Sequence, residues 1–131
     1  MPTYLLDANI LIALATPNHP GRNRSRYWAK EVTSFAVCPI TEGALVRNFL
    51  FSGRTLAEAQ ATLTALAHQP GYQFWPDDIS YSDTNLGDVH GHKQATDAYL
   101  VALTRAHPNA KLATMDAALA AAYPDVVELI P

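Results

Sequence analysis

The sequence predicts an α/β fold, a three-layer α/β/α sandwich built on a parallel five-stranded sheet. Short apolar runs alternate with longer segments in which apolar residues recur at helical spacing, which is typical of βαβ units. The chain has 131 residues, 49% of them apolar, and shows no repeat, linker or low-complexity segment. We therefore expect one domain spanning residues 1–131.

The first part of the chain is predicted to form two strands and two helices. Residues 4–6 are a short apolar run typical of a buried strand, and the apolar spacing after Ala8 predicts a helix that ends near Pro17. A second helix is expected over residues 22–32. The apolar run at 35–38 predicts the second strand.

The middle of the chain follows the same alternation. Thr41 is expected to be the N-cap of a helix that is broken at Gly53, and another helix is predicted over residues 56–68. The aromatic run at 72–75 predicts the third strand. The polar segment 77–93 is expected to be mostly loop with one short helix.

The last part of the chain completes the sheet. Thr96 is expected to cap a helix over residues 97–106, followed by a strand at 111–114. A helix over 116–123 ends before a proline, and residues 126–130 form the last strand.

Acidic residues recur at predicted junctions between strands and helices. Asp7 directly follows the first strand, Glu42 opens a helix four residues after the second, and Asp116 lies two residues after the fourth. Asp97 also opens a helix, directly after its expected cap Thr96. Because such junctions share one edge of a parallel sheet, where ligands bind, we expect these four carboxylates to converge.

Converging carboxylates repel one another, and a divalent cation would relieve that repulsion. Mg²⁺ and Mn²⁺ prefer oxygen ligands, and such a site activates water and neutralises charge on a phosphoryl group. An acid at a helix start also has a purely structural explanation, because the helix macrodipole favours it. The repetition of one context by three acids, together with Asp97 at a further helix start, favours the metal site.

Charge and composition exclude some classes of protein. The formal net charge of −3 argues against a protein that simply coats nucleic acid, but a nuclease uses its acids on metal ions. The N-terminus lacks a signal-peptide pattern, and the apolar stretch 10–15 is too short to cross a membrane. With Cys38 as its single cysteine, we expect a cytoplasmic protein without membrane association.

Four ordered segments carry a family resemblance. Residues 5–12 (Leu-Leu-Asp-Ala-Asn-Ile-Leu-Ile) resemble the opening motif of PIN-domain nucleases. Residues 38–43 followed by Arg47 are similar to the second motif of VapC-type toxins, and residues 96–100 and 112–116 resemble the third and fourth. Each motif alone is common, but the ordered set is fairly specific to the family.

The resemblance implies the toxin of a toxin–antitoxin pair, an endoribonuclease that uses Mg²⁺, or Mn²⁺ as a substitute. Single-stranded or looped RNA of the tRNA or rRNA class would be hydrolysed to a 5′-phosphate and a 3′-hydroxyl, with a cognate antitoxin as inhibitor and a homodimer as the assembly. The implied catalytic and metal-binding residues are Asp7, Glu42, Asp97 and Asp116, supported by Asn9 and Thr114. Ala118 stands where many relatives have a further acid, which leaves the number of metal ions open.

Four arginines are candidates for contact with RNA or with a partner. Arg22, Arg24 and Arg26 lie on or beside the second predicted helix, and they would equally suit an ordinary solvated face. Arg47 lies five residues after Glu42, and we expect it to be near the edge of the site.

Other functions fit the sequence less well. A haloacid-dehalogenase-like phosphatase needs a second aspartate where Asn9 stands, and a receiver domain needs a lysine after a late strand. The alternative that stays open is a catalytically silent PIN-fold module that binds RNA or protein. Metal-stimulated cleavage would distinguish the nuclease from this module.

Overall fold

The computed structural model describes residues 1–87 and 89–131, and within them it confirms the parallel five-stranded sheet. The strand order is β3-β2-β1-β4-β5, and every neighbouring pair is parallel. The strands are β1 (Thr3–Leu6), β2 (Phe35–Val37), β3 (Tyr72–Phe74), β4 (Ala110–Thr114) and β5 (Val127–Leu129).

Six α-helices connect or follow these strands within the described ranges. They are α1 (Ala8–Ala15), α2 (Arg22–Ala29), α3 (Pro39–Phe51), α4 (Leu56–Ala67), α5 (Ala95–Arg105) and α6 (Ala117–Ala122). The segment 77–93, predicted to be mostly loop with one short helix, contains the single-turn 3-10 helix Tyr81–Asp83 and, in addition, most of a second one, His92–Gln94. None of the helices described is long and apolar enough to cross a membrane.

Alternation of strand side chains produces the three layers. Leu5 and Leu112 pack with residues of α5 and α6, whereas Leu6 and Ala113 point the other way and join a cluster with α1 and α2. On that second face Val37 packs with residues of α1, α3 and α4. Helices α1–α4 therefore cover one face and α5–α6 the other, which confirms the predicted α/β/α sandwich.

Two predicted helix caps are wrong. Cys38 is the N-cap of α3, and Pro39 occupies the first helical position, which suits a residue without an N–H; Thr41 is already inside the helix. Thr96 is also internal, because the 3-10 turn ending at Gln94 continues directly into α5. Each helix starts before the threonine that was expected to cap it.

The turn before β3 depends on a glycine. Gly71 has a φ of +82°, and a Cβ at this position would lie 2.1 Å from the carbonyl oxygen of Thr33. This close approach lets the Gly71 carbonyl accept a hydrogen bond from the Phe35 amide at 3.0 Å. Only glycine fits here without moving the backbone.

The strand order identifies the edge at which a ligand would bind. From β1 the chain proceeds outward to β2 and β3 on one side, and later to β4 and β5 on the other. A crevice forms at such a switch point, here outside the carboxyl ends of β1 and β4. Asp7 follows β1 and Asp116 follows β4, so both lie at this crevice.

Candidate active site

Asp7 lies between β1 and α1 and is the N-cap of α1. Its Oδ1 accepts a hydrogen bond from the Ala8 amide, and its Oδ2 accepts one from the Thr114 hydroxyl, each at 2.7 Å. The residue is only 8% exposed. Burial raises the pKa of the Asp7 carboxyl, the two hydrogen bonds lower it, and the charge of Asp116 raises it again, with a net upward shift.

The Thr114 hydroxyl links Asp7 to the turn between β4 and α6. While donating to Asp7, it accepts hydrogen bonds from Asn9 Nδ2 at 3.2 Å and from the Asp116 amide at 3.0 Å. The Met115 amide donates in turn to Asn9 Oδ1 at 3.3 Å. The hydroxyl thus uses its one donor and both acceptor positions, which fixes its orientation and that of the carboxylate it contacts.

Asp97 and Asp116 line a cleft of about 300 Å³ beside Asp7. Asp116 is the N-cap of α6, and its Oδ1 accepts hydrogen bonds from the amides of Ala118 and Leu119 at 2.9 and 3.2 Å. Asp97 is the third residue of α5 and is half-buried. Burial, followed by the charges of Asp7 and Asp116, raises the pKa of Asp97 to about 6.

Glu42 lies in the first turn of α3, at the carboxyl end of β2. Burial raises the pKa of Glu42, and the negative charge of Asp77 raises it further. Asp77 follows β3, and its own pKa is raised by burial and by Asp78, while a hydrogen bond with the Cys38 thiol lowers it. The structure therefore brings three of the predicted acids together at the β1–β4 end and places Glu42 beside a fifth acid.

The side chains of this region carry the kind of ligand atom that a hard divalent cation prefers. Asp7, Asp97 and Asp116 offer carboxylate oxygens, the ligands that Mg²⁺ and Mn²⁺ prefer. Burial is the main cause of the raised pKa of Asp97, and the negative charges of Asp7 and Asp116 add to it; a cation would neutralise those charges. Across residues 1–87 and 89–131, no three His, Cys, Asp or Glu side chains are grouped as metal ligands, so side chains would move to hold one ion.

Comparison with known proteins identifies the family. No family model matches the sequence. Ribonuclease VapC29 of Mycobacterium tuberculosis is 42% identical over 130 residues, which cover 98% of this chain and 97% of the relative. Ribonuclease VapC39 of the same organism is 39% identical over 128 residues, covering 90% and 91%. The chain belongs to the VapC ribonuclease family.

Solved structures agree with the fold of this VapC-family chain. Mycobacterium tuberculosis VapC20, described as a sarcin–ricin loop cleaving toxin, aligns with a TM-score of 0.74 at 15% identity, covering 98% of this chain and 99% of that one. A toxin–antitoxin complex from Klebsiella pneumoniae aligns with a TM-score of 0.70 at 21% identity, covering 95% and 96%. At these identities the similarity shows the fold alone.

The three arginines of the α2 region have different surroundings. Arg22 Nη1 donates to the carbonyl oxygen of Leu14 at 2.9 Å. Arg24 donates to the carbonyls of the last two residues of the chain, at 2.9 Å from Nε and at 2.6 Å from Nη2. Arg26 is exposed. Arg22 and Arg24 therefore join separate segments of the VapC-family chain, and contact of all three with RNA or a partner stays a prediction.

Arg47 is exposed on α3 and folds back along the helix. Its Nη1 lies 3.3 Å from the position that a Cβ would take on Gly43. The missing side chain at Gly43 thus leaves room for the guanidinium one turn closer to Glu42. That Arg47 lies at the edge of the site and contacts RNA stays a prediction.

Three residues of the region were missed by the sequence analysis. Asp77 falls within the segment assigned to a loop, although it follows the third strand just as Asp116 follows the fourth, so the same rule would have found it. Lys93 and Tyr123 line the cleft of Asp97 and Asp116. No sequence pattern links these two residues, because only the tertiary fold brings the turn before α5 and the end of α6 to the same cleft.

Proposed function

We propose that this chain is the toxin of a toxin–antitoxin pair and an endoribonuclease that depends on Mg²⁺ or Mn²⁺. The observation that carries the proposal is the cluster of Asp7, Asp97 and Asp116 at the switch point of the sheet, in a chain of the VapC ribonuclease family. Support also comes from the descriptions of the fold neighbours, one a toxin that cleaves the sarcin–ricin loop and another a toxin–antitoxin complex.

The proposed cation would be held by the three-acid cluster, with Glu42 contributing from α3. When bound, such an ion lowers the pKa of a water molecule and neutralises charge that develops on a phosphoryl group. Its ligands need a defined orientation, since loss of supporting hydrogen bonds typically lowers metal affinity about 10- to 100-fold. Thr114 and the Ala8 amide supply that orientation to Asp7, and Asn9 orients Thr114.

The proposed reaction is hydrolysis of an RNA phosphodiester bond. The oxygen of a water bonds to phosphorus while the bond to the 3′-oxygen breaks, leaving a 5′-phosphate and a 3′-hydroxyl. The proposed substrates are single-stranded or looped regions of tRNA or rRNA, contacted by Arg47 and by the α2 arginines Arg22, Arg24 and Arg26. Products that end in a 2′,3′-cyclic phosphate would show attack by the ribose hydroxyl instead.

Cleavage of total RNA and tRNA with Mg²⁺, Mn²⁺ or EDTA tests the proposal. Wild type is compared with Asp7→Asn and with Glu31→Gln, which removes one charge from an exposed residue after α2. We expect cleavage to require metal, to fall at least about a hundredfold in Asp7→Asn, and to be unchanged in Glu31→Gln. Absence of metal-dependent cleavage on all RNAs would favour the catalytically silent binding module.

The proposed partners are a cognate antitoxin, which inhibits the toxin in the cytoplasm, and a second copy of the chain in a homodimer. Expression of wild type without an antitoxin should arrest bacterial growth, whereas expression of Asp7→Asn to the same level should not. Sedimentation equilibrium measures the assembly directly. A purely monomeric protein at micromolar concentration would contradict the homodimer.

A further inference from the structure

A second cleft adjoins the cleft of Asp97 and Asp116, and the ring of Tyr123 borders both. The first, here named the acid cleft, is lined by Lys93, Asp97, Asp116 and Tyr123 among others. The second has a volume of about 200 Å³ and lies between α5 and the segment after the first 3-10 turn. We name it the Arg105 cleft, because Arg105 and Tyr123 form one of its walls.

The two clefts follow α5 from its beginning to its end. Asp97 lies in the first turn of the helix, and Arg105 is its last residue. Eight residues of α-helix rise about 12 Å, so the two side chains belong to neighbouring but separate places along one groove. A ligand that entered both clefts would pass across Tyr123.

The side chains of Tyr123 and Arg105 lie beside each other. The Tyr123 carbonyl accepts hydrogen bonds from the amides of Val126 and Val127 at 3.2 and 2.9 Å, which fixes the backbone that carries the ring. The Arg105 guanidinium lies 5.7 Å from the centre of this half-buried ring. Asp125 holds it with two hydrogen bonds, at 3.0 and 3.1 Å from Nη2.

The lining of the Arg105 cleft matches the parts of a nucleotide. An aromatic face accepts a base by stacking, and an arginine contacts a phosphate or a base plane. Asn85 offers its amide N–H groups, since its Oδ1 accepts from the Gly87 amide at 3.0 Å. Asp83 offers an acceptor for a base amino group or a ribose 2′-hydroxyl.

Each cleft carries one positive side chain beside its acidic residues, and a phosphate of an RNA strand can contact that side chain. Arg105 stands in the second cleft and Lys93 in the first, so a positive side chain is available on each side of Tyr123. The Arg105–Asp125 pair is largely exposed, with side-chain exposures of 45% and 66%. Exposed pairs of this kind are weak and exchange readily, so a phosphate can compete with Asp125 for the guanidinium.

We propose that the Arg105 cleft is a subsite for an unpaired nucleotide next to the cleaved bond of an RNA strand, with its base on Tyr123 and a phosphate on Arg105. This inference rests on the proposed function, which places the cleaved bond in the acid cleft. A base can stack on Tyr123 only if it is not already stacked within a duplex, so the subsite would select single-stranded RNA.

The test measures RNA binding separately from cleavage. A fluorescein-labelled single-stranded RNA of mixed sequence is titrated with wild type in EDTA and followed by fluorescence anisotropy. Tyr123→Leu removes the ring, and Tyr123→Phe retains it. Arg105→Gln removes the cation, while Asp125→Asn breaks the same ion pair and leaves the cation in place. Lys111→Gln removes one positive charge from β4, on the face of the sheet opposite to the one where Leu112 packs with α5.

We expect Tyr123→Leu and Arg105→Gln each to weaken binding about tenfold, a size typical of a lost stacking contact. Tyr123→Phe, Asp125→Asn and Lys111→Gln should stay within about twofold of wild type. Thermal denaturation of each variant identifies loss of folding. The subsite is refuted if Tyr123→Leu binds as wild type does, or if Asp125→Asn weakens binding as much as Arg105→Gln does, since the ion pair would then be structural.

Steady-state cleavage separates failure of the subsite from failure of the proposed function. If wild type cleaves RNA, Tyr123→Leu should raise KM about tenfold with little change in kcat, whereas an unchanged KM would refute the subsite and leave the nuclease intact. If wild type cleaves no RNA, the proposed function fails. The anisotropy series then still decides whether the groove binds single-stranded RNA.

Discussion

Replacement of Asp97 by asparagine should stabilise the metal-free protein at neutral pH. The pKa of Asp97 is raised from 3.8 to about 6 by burial and by the charges of Asp7 and Asp116. Between these two values the unfolded chain loses the proton while the folded chain keeps it, so stability falls as pH rises. Above about pH 6 both states are ionised, and the folded state carries the full cost of burying the Asp97 charge and of its repulsion by Asp7 and Asp116.

The raised pKa sets the size of the effect. The difference between a pKa of 3.8 and one of about 6 corresponds to about 3 kcal/mol of unfolding free energy for a fully buried group. Asp97 is only half-buried, and solvent screens part of the interaction, so we expect about 1–2 kcal/mol. Asparagine has the shape of the protonated carboxyl group without its charge, and the variant should therefore gain this free energy of unfolding near pH 8 and nearly none near pH 4.

Urea denaturation in EDTA, at several pH values between about 4 and 8, measures the difference. Glu31→Gln serves as the control, because it removes an equal charge from an exposed position. A further titration with Mg²⁺ should stabilise wild type more than Asp97→Asn, since the variant has lost a proposed ligand. A destabilised Asp97→Asn near pH 8, or a difference that does not change with pH, would refute the assigned repulsion.

Three further predictions concern the surroundings of the site and the fold. Thr114→Val should weaken Mg²⁺ binding, measured by calorimetry, about 10- to 100-fold while Thr114→Ser retains it, because only the hydroxyl orients the buried carboxylate; equal affinity in the two variants would count against this role. Asp77→Asn should lower the pKa of Glu42 in an NMR titration, and an unchanged value would show that the two acids do not interact. Gly71→Ala should destabilise the fold by about 2 kcal/mol or more in urea denaturation, because the added Cβ meets the Thr33 carbonyl; a wild-type midpoint would contradict the tight turn.

Local sequence patterns were sufficient for the strands and for the layers of this fold. The apolar runs at β1 and β4 are bounded by clear helix signals, and the side chains of Leu5 and Leu112 face one layer as period-two alternation requires. Helix starts were less predictable. At α3, a proline in the first helical position begins the helix before Thr41, and at α5 a preceding 3-10 turn does so before Thr96.

The sequence could predict only those site residues whose position follows from the topology of the sheet. Asp7 and Asp116 lie close together because they follow the neighbouring strands β1 and β4, and the rule of acids at strand ends finds both. The rule does not tell which strands are neighbours, so it could not indicate that Glu42 lies beside Asp77. No sequence pattern indicates the position of Tyr123, because its place between the two clefts depends on how the end of α6 lies relative to α5.

The stability of the sheet and the geometry of the acids depend on the same residues. The Asp7 amide donates to the Ala113 carbonyl and the Ile130 amide to the Thr114 carbonyl, each at 3.0 Å, so the backbone at the switch point is tied to both neighbouring strands. That rigid backbone holds Asp7 near Asp97 although the carboxylates repel each other. A substitution of Asp97 that stabilises the metal-free protein should therefore also remove a charge that attracts the cation. Such a trade-off between stability and function is expected at sites where functional residues destabilise the fold.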